Sequence, residues 1–212
     1  MRVGMFLIGN DEGYRYLGSL AAQVCKHTMP GVEVCHFTDM DSLEIPGVDT
    51  VICREKTVPM AVFRMQHHQV EGDWLFIDVD CLVVKDVQHV FDGEFDIAIA
   101  SRVQNDGTQG KRWEEMPHNM GVVFSRSPEF WKAVEKDLLT YEPKMQEWMG
   151  DQLAVCRLIM KNQFDTLIIP GETYNFPPSS AEMNDAAIRH YKGRRKPLMV
   201  ANAKGILNEV HL

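Results

Sequence analysis

The chain has 212 residues, 45% of them apolar and 25% charged, which is the make-up of one globular domain with a full hydrophobic core. A formal net charge of -8 argues against nucleic acid or an anionic membrane as the main partner, because both require a basic footprint. No stretch is long and apolar enough for a transmembrane segment. The five dispersed cysteines, without a C-x-x-C pair, read as small core residues in a reducing, cytoplasmic setting.

In chain order, Arg2 to Ile8 predicts a buried strand, stopped by Gly9-Asn10. Glu12 to Thr28 carries Tyr16, Leu17, Leu20, Ala21 and Val24 at helical spacing, and Pro30-Gly31 closes it. Val32 to Phe37 and Asp49 to Arg54 predict two more strands. Met60 to Val70 is helical by spacing, with Pro59 at its start. Trp74 to Asp80, Phe95 to Ser101 and Met120 to Ser125 predict strands, and Pro128 to Tyr141 a helix. Asp151 to Lys161 is a second such helix, with Asp151 placed as its N-cap. Phe164 to Pro170 is a late strand, and Tyr174 to Ser180 a loop. Strands apolar throughout and alternating with helices predict an α/β sheet covered on both faces. In such sheets the chemistry lies at the carboxyl ends of the strands.

One of those ends is unusual. In "DWLFIDVDCLVV", Asp73 to Val84, the acids Asp78 and Asp80 interrupt an apolar run. Desolvating a carboxylate costs several kcal/mol unless something pairs with it. On a straight strand, residues i and i+2 point the same way, so both acids can approach one ligand. Oxygen ligands with open positions suit a hard cation such as Mg2+ or Mn2+. A pair of turn acids closing the strand explains the same three residues, and D-x-D alone does not choose.

Four further stretches, together with this one, resemble the GT-A fold glycosyltransferases, and among them the family-eight retaining enzymes that include glycogenin and bacterial galactosyltransferases. "FIDVDCLVVKDV" is similar to that family's D-x-D segment. "HNMGVVFSR" looks like its F-N-[SA]-G-V strand and places Asn119 and Gly121 on the motif. "GDQLAV" matches its D-Q pair through Asp151 and Gln152, and "YNF" its aromatic-Asn pair through Tyr174 and Asn175. "HYKGRRKPL" fits H-x-x-G-x-x-K-P through His190, Gly193, Lys196 and Pro197, with Leu198 where the family has Trp.

The resemblance implies a Rossmann-like mixed sheet flanked by helices, in one GT-A domain over residues 1–212. It implies Mn2+ (or Mg2+) held by Asp78, Asp80 and His190, with Gly193 and Lys196 on a donor diphosphate. Asn10 and Asp11 would read base and ribose, and Tyr14 would stack on the base. The structural alternative is that Asn10-Asp11 caps the next helix and Tyr14 is core. Arg64, Asp78 and Asn119 would also contact the donor, and Asp151 and Gln152 would lie against the donor sugar as catalytic candidates. A lysine-, arginine- and glycine-rich segment would fold over the anion and be loose without it.

The function expected on this reading is transfer of a hexose from a nucleotide-diphosphate sugar, UDP-linked by the family pattern, to a carbohydrate or other hydroxyl acceptor, with retention. Front-face displacement and double displacement through Asp151 or Gln152 are both open. The alternatives are a non-catalytic nucleotide-sugar or carbohydrate binding protein and, less well matched, a sugar-phosphate nucleotidyltransferase. The latter needs a Gly-rich phosphate loop that "GNDEGYRYLG" does not supply. The polar stretch Val103 to His118 reads as an acceptor-side flap, and an acceptor bound across a homodimer face is compatible with so short a chain.

Overall fold

The computed structural model describes residues 1–103, 114–179 and 184–208, which leaves most of the expected acceptor flap outside the described residues. The elements are β1 (Arg2–Phe6), α1 (Glu12–Thr28), β2 (Glu33–Asp39), β3 (Thr50–Arg54), α2 (Met60–His68), β4 (Trp74–Ile77), β5 (Cys81–Val83) and β6 (Ile97–Ser101). They continue with β7 (His118–Ser125), α3 (Pro128–Leu138), α4 (Pro143–Glu147), α5 (Gly150–Met160), β8 (Thr166–Ile169), α6 (Gly171–Tyr174), β9 (Ile188–His190) and α7 (Lys196–Asn208).

Seven strands form one mixed sheet in the order β3-β2-β1-β4-β7-β6-β8, and β5 pairs with β9 in a small second sheet. The strands β1 to β4 run parallel, while β7 is antiparallel to both β4 and β6. The chain moves outward from β1 to β3 and then returns to β4 on the other side of β1. That reversal opens a crevice at the carboxyl ends of β1 and β4. The loop with Asn10 leaves one of these strands and Asp78 follows the other.

Strand pleating sorts the core into two layers. Leu75 and Ile77 of β4 join Val3 and Met5 on the face covered by α1 and α7. Trp74 and Phe76 of the same strand face α2, α3 and α5, packing with Phe37, Met65 and Trp131. Both faces are apolar, hence the unbroken hydrophobic runs.

Two local expectations change. β4 stops at Ile77, and Asp78, Val79 and Asp80 form a turn closed by the Cys81 N–H on the Asp78 carbonyl at 3.0 Å. The acids therefore do not share a straight strand. Asp151 is not an N-cap: α5 starts one residue earlier, after Met149 in the left-handed region (φ 68°), and Asp151 lies in its first turn. The C-terminal helix α7 was not read from the sequence, because its apolar positions do not form a clear stripe.

Candidate active site

The second sheet assembles the site. β5 and β9 pair antiparallel with Cys81 opposite His190, so His190 stands beside Asp80 although 110 residues separate them in sequence. The Tyr191 N–H closes on the Asp80 carbonyl at 2.8 Å. Next to β9, Phe176 accepts from the His190 N–H at 2.8 Å, which brings its neighbour Asn175 against the imidazole.

His190 Nε2 lies 3.1 Å from Asp80 Oδ1 and 3.6 Å from Asp78 Oδ2, and the ring is buried. Its other nitrogen, Nδ1, is 2.8 Å from Asn175 Oδ1. A relay fixes which nitrogen carries the proton. The Gly121 N–H donates to Asn119 Oδ1 at 2.9 Å, so that atom must be oxygen. Asn175 Nδ2 donates to the same oxygen at 2.9 Å, which turns Asn175 Oδ1 to the imidazole. Nδ1 therefore donates, and Nε2 faces two carboxylates. Either a proton or a cation must fill the space between them, since a lone pair against two anions is repulsive. Ligands side by side around a six-coordinate Mg2+-sized ion at ~2.1 Å stand about 3 Å apart, the spacing of Nε2 and Asp80 Oδ1, whereas Asp78 would have to draw in to join them.

Burial alone would raise the Asp80 pKa, but the hydrogen bond and charge of His190, with Lys196 behind it, outweigh that and hold it at about 2. Lys196 Nζ is 3.3 Å from Asp80 Oδ2 and lies over the Tyr14 ring, 5.0 Å from its centre. On the other side, Arg64 Nη2 bonds Asp78 Oδ1 at 2.9 Å while Nη1 faces Asp151 Oδ2 at 3.6 Å. Burial lifts the Asp151 carboxyl above its ordinary value, and Arg64 only partly offsets the shift. Arg64 thus ties the first acid of the turn to the first turn of α5.

Cys81 completes a cluster of possible metal ligands with Asp80 and His190. Burial pushes its thiol well up, and its Sγ donates to the Gly121 carbonyl at 3.4 Å. Asp78 stands outside that cluster, 3.6 Å from the same imidazole nitrogen and held on its other side by Arg64.

The remaining candidates take varied places. Asp11 caps α1, accepting from the Tyr14 N–H at 2.9 Å, and Asn10 Oδ1 accepts from the Leu43 N–H at 2.7 Å. Tyr14 is 41% exposed, so the core alternative does not hold for it. It lines a cavity of about 350 Å³ with Asp11, Tyr16, Leu17, Lys196 and Val200. Gly193 adopts φ +59°, a conformation that L side chains rarely take, with open space around it. Gln152 gives its amide to β7, accepting from the Met120 N–H at 3.1 Å and donating to the His118 carbonyl at 2.7 Å. It holds the strand where the pairing with β6 slips. Tyr174 turns away from the acids, its hydroxyl 3.0 Å from His89 Nε2. The relay role of Asn119 and Asn175 is visible only in three dimensions, although the N-x-G and aromatic-Asn motifs mark both residues.

A scan against protein-family models found no match, and neither did a search of curated proteins. Solved structures do match. The galactosyltransferase LgtC, in complex with donor and acceptor sugar analogues, superposes with a TM-score of 0.62 at 14% identity, covering 97% of this chain and 94% of that one. The glycosyltransferase GlyE of Streptococcus pneumoniae TIGR4 gives 0.63 at 18% identity, over 99% of this chain. The chain has the GT-A glycosyltransferase fold. WbbM, a bifunctional glycosyltransferase, adds 0.61 at 11% identity. The match spans 63% of the GlyE chain and 50% of the WbbM chain. Within this fold, the crevice at β1 and β4 holds the acid turn, and no helix among the described residues is long and apolar enough to cross a membrane.

Proposed function

We propose that this protein transfers a hexose from a nucleoside diphosphate sugar, UDP-linked, to a hydroxyl acceptor, with a divalent cation held by Asp78, Asp80 and His190. The observation that carries the reading is the direction of His190 Nε2. The Asn119–Asn175 relay aims it at two carboxylates that differ in every other partner.

A bound Mn2+ or Mg2+ would neutralise charge on the departing diphosphate as a Lewis acid. The chain's own residues do the rest. Arg64 holds Asp78 in place and keeps Asp151 beside the same centre. Lys196 opens α7, where the helix N-terminus and the preceding Gly193–Arg195 turn present N–H groups and positive charge to an anion. Tyr14, exposed at the cavity wall, offers a ring face to the base. Asp151, buried and close to Arg64, is the group we place against the donor sugar, with Gln152 bracing the strand that carries Asn119 and Gly121. The resemblance to retaining enzymes supports retention of configuration.

The test is a panel of nucleotide sugars screened by thermal shift with and without Mn2+, followed by a transfer assay on the stabilising donor. Transfer should stop with EDTA and return with Mn2+. Full activity in metal-free buffer would remove the cation from the reading, and donor binding without transfer or hydrolysis would make this a binding protein.

A further inference from the structure

Lys196 makes two contacts at once. One is with Asp80 Oδ2 at 3.3 Å, and the other is with the Tyr14 ring at 5.0 Å. The first partner is a proposed metal ligand and the second the proposed platform for the base. A single ammonium group therefore stands across both halves of the donor site. We propose that Lys196 is a built-in competitor of the divalent cation, holding Asp80 until a nucleoside diphosphate takes the lysine over. The inference rests on the function proposed above and adds to it a coupling between metal and nucleotide.

The position of the lysine explains its need for an anion. Lys196 begins α7, whose first turn contains no acidic residue, and Arg194 and Arg195 precede it. The positive end of a helix dipole disfavours a cation there, so beyond the Tyr14 ring the ammonium depends on a nearby negative charge. Two are within its chemistry: the Asp80 carboxylate, and a diphosphate at the helix N-terminus.

The lysine and a metal ion would compete for the one charge of Asp80, although they approach different oxygens. One carboxylate oxygen faces His190 and the other faces Lys196. A divalent cation bonded to this carboxylate would meet the ammonium at short range, with both charges positive and little water between them. Charge count points the same way. Without a metal, Asp78, Asp80 and Asp151 face Arg64, Lys196 and the proton that must stand between His190 Nε2 and the two acids. When Lys196 withdraws and a metal replaces the Nε2 proton, three carboxylates and Arg64 leave two negative charges, the complement of a divalent ion. Arg64 cannot serve as the exchanging group, since its guanidinium is wedged between Asp78 and Asp151.

The exchange requires little backbone movement. Tyr191 is buried and its hydroxyl accepts from Asn202 Nδ2 at 2.8 Å, while Met199 and Ala203 pack in the core. The segment is anchored on both sides of the lysine. The four-carbon stem of Lys196 supplies the travel instead. By linkage, a diphosphate that draws the lysine away strengthens metal binding, and the metal strengthens nucleotide binding by the same factor.

The experiment measures Mn2+ binding without nucleotide, by calorimetry and by the electron spin resonance of free Mn2+, on the parent and four variants. Lys196→Met keeps the apolar stem and removes the competitor, so it should bind Mn2+ about tenfold more tightly than the parent, within the usual range of coupling between linked ligands. Lys196→Arg retains a cation and should stay near the parent. Arg194→Met removes a neighbouring exposed charge without touching Asp80, and should change affinity less than about twofold if direct competition rather than the general field is at work. Adding UDP should tighten Mn2+ in the parent and do so much less in Lys196→Met. If Lys196→Met binds Mn2+ no better than the parent, or Arg194→Met improves it equally, the competition is overturned while the metal site stands. Asp80→Asn is the control for the underlying reading. If neither the parent nor Lys196→Met binds Mn2+, or Asp80→Asn leaves binding unchanged, the metal assignment fails and takes the competition with it.

Discussion

Gly121 and His190 fit together only because Gly121 has no side chain: a Cβ there would lie 2.2 Å from His190 Cε1 and 2.5 Å from Nδ1. The imidazole cannot step back, because Asn175 holds one edge and the β5–β9 ladder fixes its backbone. The glycine of the N-x-G stretch is therefore a packing requirement of the histidine rather than a turn residue. Gly121→Ala should cost about 1–3 kcal/mol of stability, the usual penalty of overpacking. It should also lower Mn2+ affinity, read by calorimetry on the variant at a temperature where it remains folded. Parent-like stability and Mn2+ binding together would show that the histidine has room to move.

Asn175 should act through His190 rather than on substrate. Asn175→Ala removes the acceptor that keeps the proton on Nδ1 and frees the ring to turn. Loss of such a supporting partner typically weakens metal binding about 10–100-fold. Mn2+ titration checks this, and UDP binding measured without metal should be nearly unchanged. An equal loss in both titrations would mean that Asn175 touches the nucleotide itself.

Gln152 offers a way to separate bracing from chemistry. In Gln152→Glu the oxygen that accepts from Met120 survives, but a second oxygen faces the His118 carbonyl where an N–H had donated. Two acceptors facing each other should cost about 1–3 kcal/mol. Denaturant unfolding should show this directly. A variant as stable as the parent but inactive in transfer would shift Gln152 from scaffold to reaction.

His67 makes stability depend on pH. It lies buried among Phe6, Phe37 and Phe63, and its ring nitrogens make no well-formed hydrogen bond, the Thr38 backbone giving only a weak contact. Burial, with Arg54 nearby, lowers its pKa from 6.5 to about 4. The folded value lies below the unfolded one, so the unfolded chain takes up a proton that the folded chain refuses. The stability is fully present above pH 6.5 and is lost as pH falls towards 4. The full span is worth about 3 kcal/mol at 1.36 kcal/mol per pKa unit. His68, buried beside Phe76 and Trp131, contributes in the same direction. Urea unfolding of the parent and of His67→Phe at pH 7 and pH 5 measures the difference, and the variant should lose less stability on acidification. Equal losses would assign the pH dependence to other groups.

Local pattern was enough for much of this molecule. α1 was legible to the residue, from Glu12 to Thr28, because its apolar spacing and the Asp11 cap are short-range features. The two-sided sheet was legible because strands covered on both faces must be apolar throughout. The acids were legible because charge in such a run needs a reason. Their geometry was not. An i, i+2 pair on a strand was the expected arrangement, whereas a turn after Ile77 and a histidine from the far end of the chain create the actual one. β5 and β9 are three residues each, too short to announce themselves, and they gain stability only by pairing with each other. The same holds for the relay to His190: the Gly121–Asn119 bond is local, but Asn119 meets Asn175, and Asn175 meets His190, by tertiary contact alone. Residue type and local period determined where helices and strands form and which side chains can bear chemistry. The long-range pairing of β5 with β9 decided which of them meet, because it sets His190 3.1 Å from Asp80 across 110 residues of chain, and no local preference can enforce that.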